Sequence, residues 1–195
     1  MLRTLKLVLI IISLNTTAQN SIINHVNNYL DSTNTFTDEV IYVSIKNQKL
    51  YHIQHDSIIN EYIISSSVYG IGSTSGSNKT PIGLHRIREK YGERTPINGK
   101  MTGRVFHGYI ATIYTDQRKS KTDDVTSRIL RLEGLEKGKN KGKGIDSFKR
   151  YIYIHGTSEE GRLGKPASHG CIRMKNKEVI DLYKLVEVGT FVLIL

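Results

Sequence analysis

The chain has 195 residues, of which 38% are hydrophobic and none is Trp, and it carries a formal charge of +10. That length holds one domain whose core needs no covalent staples, and a single cysteine excludes an intramolecular disulfide. Tyrosines (11) outnumber phenylalanines (4) and sit among β-branched residues, which favours a β-rich domain.

Arg3 and Lys6 precede an apolar run from Leu7 to Leu14, broken only by Ser13, and Asn15-Thr16-Thr17-Ala18 follows. This is the layout of a secretory signal peptide over 1–18, with cleavage near Ala18. The apolar run is shorter than the roughly 20 residues that span a bilayer, so no stable membrane anchor is expected. Cleavage would remove two cations and no acid, lowering the formal charge from +10 to +8. An exported basic protein favours anionic envelope polymers over nucleic acid, and periplasm or cell envelope is the expected location. An exported chain that keeps one unpaired cysteine has a thiol open to oxidation, which calls for a chemical reason such as catalysis.

Residues 19–37 form an N-terminal arm. Ile22, Ile23, Val26, Tyr29 and Leu30 recur at helical spacing, which predicts a short amphipathic helix ending near Asp31. The domain proper spans 38–195. Strands are predicted at 40–45, 49–53 and 58–66, joined by tight turns as a meander. His52 and His55 fall at a strand end and a turn and are expected to be solvated. A Gly/Ser-rich loop, 68–80, lacks the Gly-Lys-Ser/Thr of a P-loop and the third Gly of a dinucleotide fingerprint. It leads into Thr80-Pro81-Ile82-Gly83 and a strand to Ile87. Residues 88–103 read as an exposed loop, 104–114 as one or two strands bent at Gly108, and 127–134 as another strand. His85 and His107 lie in strand candidates, and His107 is the better placed to line a cleft. The Lys/Gly segment 135–144 reads as solvated.

Tyr151 to Met174 holds the chemistry. An alternating run, Tyr151-Ile152-Tyr153-Ile154-His155, predicts a strand with His155 at its end. A Gly-rich excursion follows, and the chain returns to Ser168-His169-Gly170-Cys171. A thiolate is a nucleophile, and an adjacent imidazole can take its proton. Two histidines qualify by proximity: His169, two residues from Cys171, and His155. Gly170 leaves room for a carbonyl to approach the sulfur and lets nearby N–H groups point at an oxyanion. Arg173 could hold a substrate carboxylate. His155, His169 and Cys171 equal the three protein ligands of a catalytic zinc, with His107 a fourth candidate, but no acidic base accompanies them. Neither a metal nor a cofactor is expected. Downstream, Asn176 is expected to cap a helix carrying Val179, Leu182, Tyr183 and Val186 on one face, and 189–195 to end in a buried strand.

The His155-Gly156 pair, the twelve residues separating His155 from Ser168, the Ser168-His169-Gly170-Cys171 motif continuing into Ile172-Arg173-Met174, and the upstream Thr80-Pro81-Ile82-Gly83 together resemble the YkuD-type L,D-transpeptidases, bacterial cell-wall enzymes. One departure is Arg173, where family members can carry Asn. The resemblance implies a mainly β fold, a β-sandwich of mixed sheets with a short helix beside the cysteine loop. It implies that Cys171 is the nucleophile and His155 its base, oriented by a backbone carbonyl at Gly156. His169, Gly170 and Cys171 would supply oxyanion N–H groups, Ser168 and the His169 side chain would shape the loop, and Arg173 would meet a substrate carboxylate. The implied partners are peptidoglycan stem peptides, a tetrapeptide donor and an amine acceptor, giving 3→3 cross-links through a Cys171 thioester. Water as acceptor would instead make an L,D-carboxypeptidase or cross-link hydrolase, and a lipoprotein lysine an anchoring enzyme. A non-catalytic cell-wall-binding protein is the alternative outside enzymology.

Overall fold

A computed structural model describes residues 19–195. The expected signal segment, 1–18, lies outside the described residues. Helix α1 occupies 19–32. Ten strands follow: β1 (Glu39–Ser44), β2 (Lys49–Gln54), β3 (Ser57–Ile63), β4 (Gly83–Tyr91), β5 (Gly99–Thr102), β6 (Val105–Ile110), β7 (Val125–Gly134), β8 (Tyr153–Thr157), β9 (Ile172–Met174) and β10 (Phe191–Ile194). Helix α2 (Asn176–Leu185) joins β9 to β10. No described helix is long and apolar enough to cross a membrane.

The hydrogen-bonded path runs β3-β2-β1-β10-β4-β7-β5-β6, with β8 and β9 branching from β7. Pairing is mixed: β1 with β10 and β8 with β9 are parallel, and the other pairs are antiparallel. Side-chain alternation explains how the layers form. Ile41 and Val43 of β1 enter the main core, while Val40 and Tyr42 turn to a second cluster on the opposite face. The main core also takes Leu130 and Leu132 of β7, Ile154 of β8, Ile172 and Met174 of β9, and Val179, Leu182 and Tyr183 of α2. β1 and β9 therefore meet across one core although they lie far apart along the hydrogen-bonded path, and the sheet folds over on itself through β7. The second cluster is closed by Val26 and Leu30 of α1.

β7 makes that fold-over possible. It pairs with β8 along one edge and with β4 and then β5 along the other, so that Thr126 lies between Lys100 of β5 and Gly156 of β8. Its register with β8 shifts between Thr126 and Ile129, and Ser127 adopts a positive φ of 62°. Such a bulge bends a strand and re-aims its end. The buried Ser127 hydroxyl secures the bend by donating to Asn176 Oδ1 at 2.6 Å and accepting from the Asn98 N–H at 2.9 Å.

Several expectations need correction. Residues 88–103 are not one exposed loop, because β4 continues to Tyr91 and β5 lies within the segment. The cap of α2 is Lys175, not Asn176. Asn176 is buried instead, and its Oδ1 accepts from both Thr126 and Ser127 hydroxyls at 2.6 Å. His52 is not solvated: it is buried and its Nε2 meets Glu39 Oε1 at 2.7 Å. His85 is a packing residue, buried between the Gly83 carbonyl (2.9 Å) and the Ser147 hydroxyl (3.0 Å).

Candidate active site

β8 and β9 are parallel neighbours, with His155 opposite Arg173 and Ile154 opposite Ile172. Partner residues in a sheet share a face, as do residues two apart on one strand. Ile154, Ile172 and Met174 turn into the main core. His155 and Arg173 therefore emerge on the opposite face, and Cys171, just before β9, shares it. That places Cys171 diagonally across from His155 on the same face.

The Cys171 sulfur lies between two backbone groups. The Tyr153 N–H donates to it at 3.4 Å, and its own S–H reaches the Tyr151 carbonyl at 3.4 Å. Tyr151 has a positive φ of 57°, unusual for a bulky residue. Burial pushes the thiol up to about 12, partly offset by the Tyr153 N–H. Cys171 keeps some exposed surface, so water screens part of that push. The resting group is the thiol.

His155 is buried, and its Nδ1 lies 2.7 Å from the Gly156 carbonyl. A carbonyl only accepts, so Nδ1 carries the hydrogen and Nε2 has the free lone pair. Burial lowers the affinity of His155 for a second proton, while Asp123 works the other way. Gly156 must lack a side chain: a Cβ there would sit 2.7 Å from Asn176 Oδ1 and 2.8 Å from the Thr126 carbonyl. His155 is not among the hydrogen-bond partners of the sulfur, which are Tyr151 and Tyr153 among the described residues.

The loop before Cys171 is tied from several sides. Ser168 Oγ donates to the Cys171 carbonyl at 2.6 Å and accepts the Gly170 N–H at 3.3 Å. The buried Thr80 hydroxyl donates to the Gly170 carbonyl at 3.1 Å, so the Thr-Pro-x-Gly stretch supports the cysteine loop from below. Gly170 has a φ of 121°, a region that favours glycine. With the Gly170 N–H engaged, the N–H groups of His169 and Cys171 have no acceptor among the described residues.

A charge network flanks the sulfur. Asp123 places Oδ2 2.7 Å from His169 Nδ1 and Oδ1 2.6 Å from Arg173 Nη2. Arg173 Nη1 meets Glu159 Oε2 at 2.8 Å, and Glu159 Oε1 takes the Ser120 N–H at 2.7 Å and its hydroxyl at 2.8 Å. Burial would raise the Asp123 carboxyl, but Arg173 outweighs it and holds the group below its ordinary range. Arg173 is 1% exposed, with both terminal nitrogens on protein carboxylates. The expectation that it meets a substrate carboxylate does not fit this burial. His169 is exposed, against Asp123 and the Tyr69 ring. His107 lines a cavity of about 360 Å³ with Lys100, Thr102 and Tyr109, not with Cys171. Sequence reasoning missed Asp123 and Glu159 because both lie in polar stretches with no periodicity or motif to mark them.

A family model described as "YkuD: L,D-transpeptidase catalytic domain" matches residues 38–194. Two curated Bacillus subtilis (strain 168) proteins match shorter stretches. "Putative L,D-transpeptidase YqjB" is 52% identical over 52 residues, 27% of this chain and 28% of that protein. "Putative L,D-transpeptidase YkuD" is 50% identical over 46 residues, 24% of this chain and 28% of that protein. The matched region thus spans just over a quarter of those relatives. Among solved structures, a mutant of Enterococcus faecium L,D-transpeptidase aligns with a TM-score of 0.49 at 19% identity, over 82% of this chain and 50% of that chain. L,D-transpeptidase 3 from Mycobacterium tuberculosis aligns with a TM-score of 0.49 at 17% identity, over 83% and 62%. Since the family model runs from the start of β1 through the end of β10 and takes in both His155 and Cys171, the chain belongs to the L,D-transpeptidase catalytic domain family.

Proposed function

We propose that this protein is an exported cysteine acyltransferase that forms 3→3 cross-links between peptidoglycan stem peptides. One observation carries the reading: a partly exposed thiol shares a sheet face with a buried, neutral imidazole whose Nδ1 is fixed by its own neighbour's carbonyl. That ring has one function left, to accept a proton at Nε2.

As a donor tetrapeptide arrives, the Cys171 side chain rotates, exchanging the Tyr151 carbonyl for His155 Nε2 as acceptor of the S–H. The sulfur attacks the carbonyl of the third stem residue while His155 takes the proton. The oxyanion meets the N–H groups of His169 and Cys171, joined by that of Gly170 as Ser168 Oγ turns wholly to the Cys171 carbonyl. Collapse breaks the amide bond. The terminal D-residue leaves as an amine carrying the proton from His155, and a thioester remains. The side-chain amine of a neighbouring stem then attacks, gives a proton to His155, and releases the thiol with a new amide bond. Residues 1–18 act as the export signal that delivers this chemistry to the envelope.

The test is incubation of purified sacculi with the protein, digestion, and mass analysis of the muropeptides. New 3→3 dimers with wild type and none with Cys171→Ala are expected. Trimmed tripeptides without dimers would transfer the reading to a carboxypeptidase. Equal dimer formation by Cys171→Ala would remove Cys171 from the reaction, and no product from wild type would leave a wall-binding protein.

A further inference from the structure

A substrate rich in carboxylates needs a cation near the sulfur, and Arg173 is already paired on both terminal nitrogens. Arg150 is differently placed. It is half-buried, and no carboxylate lies within ion-pair distance of it among the described residues. Its Nη1 donates to the Gly72 carbonyl at 3.1 Å and its Nη2 to the Lys79 carbonyl at 2.7 Å. That Lys79 carbonyl is 3.4 Å from where a Cβ on Gly170 would stand. The guanidinium is therefore one carbonyl away from the residue that precedes the nucleophile. Arg150 also directly precedes Tyr151, whose carbonyl holds the Cys171 S–H.

A guanidinium has five N–H groups, and two backbone carbonyls leave most of its fork available. Partly desolvated cations are costly unless paired, and the planar fork matches a carboxylate. We propose that Arg150 is the binding residue for a carboxylate of the incoming stem peptide, docking the donor beside Gly170 and Cys171. Burial disfavours the charge on Arg150 and negative charge at Cys171 favours it, so the cation also supports the thiolate as it forms. Arg104, which neighbours Tyr151 and Tyr153, is already engaged with the Tyr153 hydroxyl and the rings of Tyr91 and Tyr151. The assignment rests on the acyltransfer reading for its choice of ligand, and its test does not require turnover.

Binding of a synthetic stem tetrapeptide is measured by calorimetry on Cys171→Ser protein, with free carboxylates and with the same peptide fully amidated. The free peptide is expected to bind about tenfold more tightly, the scale of one charge-assisted pair. R150Q should abolish that preference and R150K retain part of it. The preference is a ratio, so any protein lost to unfolding through the Gly72 and Lys79 contacts cancels. A parent that binds both peptides alike, or binds neither, overturns the assignment, as does an undiminished preference in R150Q. A carboxylate preference in a protein that forms no muropeptide product would keep the Arg150 site and remove the transpeptidase reading. Product without the preference would do the reverse.

Discussion

Asp123 is the residue on which most of the site's charge converges. One carboxylate oxygen holds His169 and the other holds Arg173, the two residues that flank Cys171 at equal distance in sequence. Its charge is also felt at His155, where it favours the imidazolium, and at Cys171, where it opposes the thiolate. Asp123→Asn keeps the shape and removes the charge. His155 would then lose the carboxylate that favours its protonated form, so its proton affinity falls further and the neutral base survives to lower pH. The acid limb of the acylation profile is expected to move to lower pH in the variant. The rate on the plateau should fall about tenfold, because the loop carrying Cys171 loses a charged anchor worth roughly one strong hydrogen bond. Acylation by a carbapenem, followed by intact mass across pH, reads both effects. An unchanged acid limb with a lower plateau would reduce Asp123 to a structural tie.

At the level of elements, α1 is as much part of the domain as the strands are. Leu30 is 5% exposed and Val26 is fully buried, both against Val40, Tyr42, Tyr51, Ile53 and Leu193 of the sheet. Leu30→Ala is expected to cost about 2–5 kcal/mol, read as a lower urea midpoint in one cooperative transition. A variant whose sheet unfolds at the wild-type midpoint would show instead that α1 peels away independently. This helix was legible because its apolar positions keep one stripe, β2 because its side chains alternate, and β1 and β10 because each is a short run of β-branched, aliphatic and aromatic residues buried on both faces. β5 and β9 were not, since four and three residues carry too little pattern. The end of β4 escaped notice for a different reason: Glu89, Lys90 and Tyr91 pair with β7 through backbone and a Glu89–Arg131 ion pair, not through apolar side chains. His155 and Cys171 were visible because their chemistry is written in local motifs. Asp123 reaches that chemistry from another segment, and Glu159, although inside the same stretch, meets Arg173 only through folding, so neither carries a local signal.

For the whole molecule, buried histidines set how stability responds to acid. His85 is fully buried between β4 and the 135–150 segment, and burial holds its affinity for a second proton down to about 4. His155 is lowered in the same direction, also by burial. A group whose folded pKa lies below its unfolded value contributes stability above the unfolded value and loses it as pH falls. For His85 that window runs from about 6.5 to about 4, and a shift of that size corresponds to about 3 kcal/mol once the window is crossed. The carboxyls of Asp123 and Glu159 are also held below their ordinary range, but they lose their contribution only at lower pH, as protonation nears their folded values. The histidine loss therefore comes first. Urea midpoints measured from pH 7 to pH 4.5 should fall steadily in wild type. His85→Gln removes the titrating ring while keeping groups that can meet the Gly83 carbonyl and the Ser147 hydroxyl. The variant should start lower at pH 7 and decline less steeply toward pH 4.5. A wild-type midpoint that is flat across this range, or an equal slope in the variant, would mean that His85 is protonated in the fold without cost and that acid sensitivity arises from the carboxylates alone.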